Sequence, residues 1–422
     1  MNNVAVEKIA GVIELLLESH SRINEAKPQR YWYPLSMATY GTEEILEALD
    51  SMCSFRTTMW EKTLRFEEAF SRYQGSGHSV MVNSGSSADL LLSFLLVDPA
   101  RPLLKPGDGI LVPAVTWPTQ IWSPMMAGLN VELVDVDPTN LNISLGDLEQ
   151  RIRPNTRALF LVHLLGNPCD MDRILAIAKR HELLVLEDCC EALGSQWNGT
   201  KVGNFGLGAA FSFFFSHHIT TMEGGMITTA REELADRLRV LRAHGWVRNV
   251  SPGKFDLADS DVDPRYAFVD WGFNVRPTEL QAGFGLRQLD KIDYFTQRRE
   301  RLSMKFFGFV DASRYLSRPI VAPPGKPVWM ALPCMVRPEA PFTRADLTCY
   351  LEENGVETRP IVAGNVARQP VSRLFPKLAR DQYPGADDVH RHGFYIGLSP
   401  LMTDATMTRL IDTLDGFLAR HR

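Results

Sequence analysis

No run in this 422-residue chain is both apolar and long enough to cross a bilayer, and no signal peptide is evident. There is no excess of positive charge. With 45 basic and 50 acidic residues the net charge is −5, which leaves no basic stripe for a nucleic acid. The six cysteines lack C-x-x-C spacing, so neither a disulfide framework nor a metal ribbon is expected; reduced thiols in a cytoplasmic protein are. Internal repeats and low-complexity tracts are also missing. What remains is 45% hydrophobic and 23% charged, the composition of a globular chain with room for one large and one smaller domain.

Periodicity divides the chain into an N-terminal helical extension over 1–28, a large domain over 29–290 and a small α+β domain over 291–422. In the extension, Val6, Ile9, Val12, Ile13, Leu16 and Leu17 share one helical face, interrupted by charges, which predicts an amphipathic docking helix. Between Met81 and Thr229, strand-like runs (Gly109–Pro113, Val131–Asp135, Ala158–Val162, Leu183–Glu187) alternate with helical patterns at Leu145–Ile152 and Asp172–His181. That alternation predicts βα units on a mainly parallel sheet. A long helix is expected from Pro277-Thr-Glu to about Leu302, then a strand at Val328–Val336, a helix at Arg344–Asn354 and a closing helix after Asp404. The Pro-, Gly- and Asp-bearing stretch Asn249–Pro264 reads as an exposed loop.

Several side chains carry chemistry. Asn83-Ser-Gly-Ser-Ser87 lies between an apolar run and a leucine-rich helix, where backbone amides and the hydroxyls of Ser86 and Ser87 form either an anion cradle or a simple helix cap. Asp188 ends an apolar strand, the edge where open α/β sheets bind ligands. Trp117 can stack on an aromatic ligand or serve as core. Ser212 lies five residues before His217, and an imidazole carries protons near neutral pH.

Taken in order, Asn83–Ser87, Val112–Trp117, Leu165–Pro168, Glu187-Asp188, Phe211–Gly225, Gly272–Pro277 and Glu357–Pro360 resemble the DegT/DnrJ/EryC1/StrS family of sugar aminotransferases and dehydratases, over roughly residues 30–420. The resemblance implies the α/β fold of the type I pyridoxal-phosphate enzymes, a mainly parallel mixed sheet with a small C-terminal domain. His217 stands where most of the family carries the lysine that binds the cofactor covalently, and an imidazole forms no Schiff base. Together with Thr221–Gly225 and Arg242–Trp246, this most resembles the sugar 3-dehydratases of the GDP-4-keto-6-deoxymannose type. The chain departs from them at Trp60, at Gly397–Pro400 and in the residues before Pro28.

Carried over residue by residue, the resemblance gives Gly85, Ser86, Ser87 and Ser212 the cofactor phosphate, with Asn274 reaching in from a neighbouring subunit of a homodimer. Asp188 would pair with the pyridine nitrogen, Trp117 would stack on the ring, and Glu191 would lie near its hydroxyl. His217 would be acid and base. Arg242, His244, Arg248 and Arg359 are candidate phosphate or sugar contacts, for which surface ion pairs are an equal explanation. His218 stands where the aminotransferases often carry asparagine; it is a further candidate contact but is read first as structural. The implied reaction removes the C3 hydroxyl of a nucleotide-linked 4-keto-6-deoxyhexose, using non-covalent pyridoxal or pyridoxamine phosphate regenerated from glutamate, with ammonia released. Val247–Pro264 contains no cysteine, so the type without an iron–sulfur cluster is expected. An aminotransferase that tolerates histidine or uses another lysine, with Lys201 nearest, and a regulator without turnover remain as alternatives.

Overall fold

Seven strands form the central sheet of the computed structural model, in the spatial order His78–Val82, Gly225–Thr229, Gly208–Ser212, Leu184–Asp188, Thr156–Val162, Gly109–Pro113 and Asn130–Val134. The last five of these run parallel to one another, and Gly225–Thr229 is antiparallel to both of its neighbours. The structure describes residues 3–25, 30–251, 253–255, 257, 261–378 and 382–421.

The near-continuous apolar runs follow from burial on both faces. Ile110, Val112, Ala158 and Phe160 pack into one core layer with the helix Gly85–Leu96. Their alternates Leu111, Leu159 and Leu161 pack on the other side against Ile174 and Ile177 of the helix Met171–Arg180. A one-residue register slip would exchange these two sets, so the sheet is firmly specified.

A second, antiparallel sheet has the order Leu316–Ser317, Ala331–Val336, Gly393–Gly397, Thr358–Pro360. Helices Ile292–Asp311, Arg344–Glu353 and Asp404–Leu418 pack with it in a separate core that includes Leu302, Phe306, Leu347, Leu410 and Leu414. Three short strands, Gly325–Lys326, Gln196–Trp197 and Thr200–Lys201, pair between the two halves of the chain.

Two elements differ from the sequence reading. The helix expected from Pro277 is two helices, Glu279–Asp290 and Ile292–Asp311, which meet at Lys291. The first is capped at Thr278, whose hydroxyl accepts from Gln281 N; Lys291 ties the junction to Glu43 and Glu44. The strand expected from Val328 begins only at Ala331, because Val328 N donates to Ser195 Oγ and Met330 N to the Leu165 carbonyl. Those residues cross to the other half of the chain rather than continue a ladder.

The N-terminal residues are helical over Asn3–Glu25, although of the predicted face only Ile13 is buried, with Val12 and Leu16 more than half exposed. Residues 26–29 lie outside the described residues, as do 252, 256 and 258–260 of the expected loop, whose flanks form short turns at Val247–Asn249 and Pro264–Tyr266. All six cysteines are free thiols. Among the described residues no helix is long and apolar enough to cross a membrane.

Candidate active site

The carboxyl ends of the parallel strands open into a cavity of about 480 Å³. Gly85, Ser86, Trp117, Asp188, Glu191, Ser212, His217 and Arg359 all line it. These eight are spread over nearly three hundred residues of sequence, and sheet topology brings them together.

One wall is the start of the helix Gly85–Leu96. Ser84 caps it, its Oγ accepting from Ser87 N at 3.1 Å. The first amides of a helix have no partner within it and carry the positive end of its dipole, which suits an anion. Ser212, the last residue of its strand, closes on this turn so tightly that a Cβ on Gly85 would lie 2.5 Å from Ser212 Cβ and 3.0 Å from Cys190 Sγ. Ser87 does not share in the cradle. Its hydroxyl accepts from Ser84 Oγ at 3.0 Å and donates to Asn83 Oδ1 at 2.6 Å, and it is not among the residues that line the cavity.

Asp188 is buried, its Oδ1 accepting from Cys190 N at 2.7 Å. Burial raises its pKa to about 6, against the pull of Cys190 and His163. Glu191 accepts from Leu165 N at 2.8 Å; burial and the Asp188 charge raise it to about 7. Trp117 is 57% exposed and therefore is no core residue; it stands open at the cavity.

His217 sits in the turn after the Gly208–Ser212 strand, its amide donating to the Phe214 carbonyl at 3.0 Å and its ring edge-on to Phe214. Burial depresses its pKa to about 4, and the Arg299 charge adds to this, opposed by the Ser212 and Cys190 backbone. At neutral pH the imidazole is uncharged and free to accept a proton. Among the described residues lining the cavity there is no lysine. Lys201 lies elsewhere, its Nζ 3.4 Å from the centre of the Tyr73 ring and bonded to the Tyr73 carbonyl.

Four of the candidate substrate contacts do not face this cavity. His218 is fully buried, and its Nε2 donates to the Val328 carbonyl at 2.9 Å. Arg242 is 1% exposed and spends its guanidinium on Glu67 at 2.6 Å and the Met81 carbonyl at 2.7 Å. His244 and Arg248 are exposed outside it, Arg248 lying 5.0 Å over the Trp246 ring. Arg359 does line the cavity, held by Glu357 at 2.8 Å. Asn274 is exposed on the surface of its own chain, accepting from Arg276 Nε at 2.9 Å.

The sequence reading missed Asp89, Thr119, Cys190, Glu223, Met330 and Tyr395, all of which line the cavity. Only Asp89 had a local signal, as an acid within a leucine-rich helix. Met330 and Tyr395 come from the second sheet and its approach, too far along the chain for any pattern to link. A separate buried cluster of His163, Glu187 and Cys189 offers three ligand-type atoms within 4.8 Å. Its members are already engaged: His163 bonds Glu187 at 3.1 Å and accepts from Cys169 N, while Glu187 also accepts from Gly203, Phe205 and Gly206.

The pattern of the DegT/DnrJ/EryC1/StrS aminotransferase family matches residues 39–415. The chain belongs to this family. A member from Yersinia pseudotuberculosis named GDP-4-keto-6-deoxy-D-mannose 3-dehydratase is 37% identical over 369 residues, 86% of this chain and 93% of that one. Another of the same name from Escherichia coli O55:H7 is 35% identical over 86% of this chain and 95% of its own length. Among solved structures, an E. coli GDP-4-keto-6-deoxy-D-mannose 3-dehydratase with bound hydrated PLP superposes with a TM-score of 0.86 at 33% identity, covering 91% of this chain and 99% of that chain. The fold is thus the aminotransferase fold of the family, as the sequence implied.

Proposed function

We propose that this chain is a 3-dehydratase of a nucleotide-linked 4-keto-6-deoxyhexose, working with pyridoxal or pyridoxamine phosphate held non-covalently. One observation carries the reading: the cavity wall presents the neutral imidazole of His217 and, among its described residues, no amine that can bind an aldehyde. The similarity to proteins named as such dehydratases, one of them solved with PLP, supports the same substrate class and cofactor.

The residues present fit the group. The cradle of Gly85, Ser86 and Ser212, too tight for a Cβ, suits a phosphate; the Asp188 carboxyl suits a pyridinium; the open face of Trp117 suits a stacked ring. When bound, pyridoxamine phosphate supplies an electron sink conjugated through its amine to the sugar C4. Asp188, as a carboxylate, keeps that sink charged. His217, as the neutral imidazole, would take a proton from the carbon that bears the cofactor's amine and, as imidazolium, would deliver it to the departing C3 oxygen, which makes one residue both base and acid. Arg359, the one cationic side chain among the described cavity residues, is placed to hold an anionic group of glutamate or of the sugar nucleotide.

Glutamate regenerates the amine form, supported by a relative solved with a trapped PLP-glutamate geminal diamine. Asn274, exposed on its own chain, serves the neighbouring site of a cytoplasmic homodimer. The test is mass spectrometry of the sugar after incubation with pyridoxal phosphate, glutamate and a panel of nucleotide-4-keto-6-deoxyhexoses. A product one oxygen poorer, with ammonia released, is expected; an amino sugar would make the chain an aminotransferase and overturn the role of His217.

A further inference from the structure

Asp89 is 1% exposed and lines the cavity one turn after the anion cradle. Its two oxygens are treated differently. Oδ2 accepts from Thr119 Oγ1 at 2.9 Å and from Gln120 Nε2 at 3.0 Å. The orientation of Gln120 is fixed because its own oxygen accepts from Thr116 Oγ1 at 2.6 Å. Oδ1 is buried and has no hydrogen-bond partner. An ionised carboxylate with one bare buried oxygen is costly, whereas a protonated one has a donor to offer there.

The surroundings point the same way. Asp188, Glu191, Glu223 and the Cys190 thiol lie on the same cavity, and the Asp89 partners Thr119 and Gln120 are neutral. The His163 charge favours the ionised form of Asp188, not of Asp89. Carboxyls crowded on one site cannot all ionise cheaply, least of all when a phosphate must bind beside them. Burial raises the Asp89 pKa well above the carboxylate range and the Asp188 charge raises it further, whereas Asp188 rises only to about 6.

We propose that Asp89 is a positioning residue that works as a neutral acid: Asp188 keeps its negative charge, and Asp89 holds its proton on Oδ1 while Oδ2 fixes Thr119 and Gln120 at the cavity wall. The charge left on Asp188 is then available to a pyridinium, so this inference rests on the cofactor reading above.

The experiment is infrared difference spectroscopy of the cofactor-free protein at neutral pH, paired with cofactor titrations followed by absorbance. Wild type is expected to show a protonated-carboxyl band that Asp89→Asn removes. Asn, which keeps a donor and no charge, is expected to hold cofactor affinity within about threefold, whereas Asp89→Leu loses about tenfold or more, since tenfold is only about 1.4 kcal/mol. Because Glu191 also carries a proton in part at neutral pH, the difference between wild type and Asp89→Asn is what counts: no band lost in that variant, or an Asn variant as weak as the Leu variant, would overturn the proposal. Asp188→Asn separates the two readings: if it leaves cofactor absorbance and affinity unchanged while the Asp89 band persists, the pyridine partner is wrong and the neutral acid stands.

Discussion

Arg299 Nη2 donates to the backbone carbonyl of His217 at 3.4 Å, joining a fully buried guanidinium to the proposed base. Its other partners are also carbonyls, those of Trp329, Met330 and Leu398, so among the described residues no carboxylate neutralises it. A positive charge beside an imidazole opposes its protonation, and this adds to the burial that already holds His217 at about 4. The charge therefore does two things, fixing the turn that carries His217 and keeping the ring in its base form. Removing it makes the ring easier to protonate, so activity should be lost at a higher pH. In Arg299→Gln the acid limb of the kcat/KM profile should move up by about one pH unit, equivalent to about 1.4 kcal/mol. Arg299→Lys, which keeps the charge but not the fork of donors, should move it less. An unmoved limb in both would leave Arg299 a purely structural residue.

The identity of residue 217 should decide the reaction. His217→Asn is expected to abolish dehydration, by at least about a hundredfold if general acid–base catalysis has its usual weight, while cofactor absorbance and affinity stay near wild type. His217→Lys places an amine on the cavity wall, where the proposed reading puts the cofactor aldehyde. Borohydride treatment followed by mass spectrometry should then show a permanent adduct on residue 217 that wild type lacks. Full turnover by the Asn variant would mean that another group carries the proton.

Much of the large sheet was legible because both faces of its strands are buried, which turns sequence into short, nearly pure apolar runs such as Gly109–Pro113. Asp188 could be placed at a strand end for the same reason, since the run simply stops there. The junction at Lys291 could not, because no glycine or proline marks it and its anchors are Glu43 and Glu44, far along the chain. The candidate site divides similarly. Residues on strand ends and their following turns were readable, whereas Met330 and Tyr395 reach the cavity from the second sheet and its approach, where local pattern says nothing. Arg242 and His218 lie close in sequence to the chemistry, and both are buried in structural bonds.

Arg242 therefore makes an opposite prediction from a substrate contact. Its pairing with Glu67 is shielded from water on both sides, and Glu67 Oε1 also accepts from Met81 N at 2.8 Å. Truncating one member leaves the other as a buried charge, which costs about 3–5 kcal/mol in such pairs. Arg242→Ala should lower the denaturation midpoint markedly, while KM for the sugar nucleotide in the protein that still folds stays within about twofold, the scatter expected where no binding contact is lost. A large rise in KM at unchanged stability would return Arg242 to the substrate.

Gly85 offers the converse case, a substitution expected to spare the fold and damage the site. Its backbone needs no left-handed conformation, so the demand for glycine comes from space alone. The added methyl would stand 2.5 Å from Ser212 Cβ and 3.0 Å from both Ser212 Oγ and Cys190 Sγ, so the end of the strand must yield. Overpacking of this kind costs about 1–3 kcal/mol, and here it falls on the cradle rather than on the core layers. Because about 1.4 kcal/mol is tenfold in affinity, Gly85→Ala should weaken cofactor binding by about tenfold or more. The same displacement shifts Cys190, whose amide holds Asp188 Oδ1, so the bound cofactor's absorbance should change as well. Titration of the variant with pyridoxal phosphate checks both; unchanged affinity and spectrum would place the phosphate somewhere other than this turn.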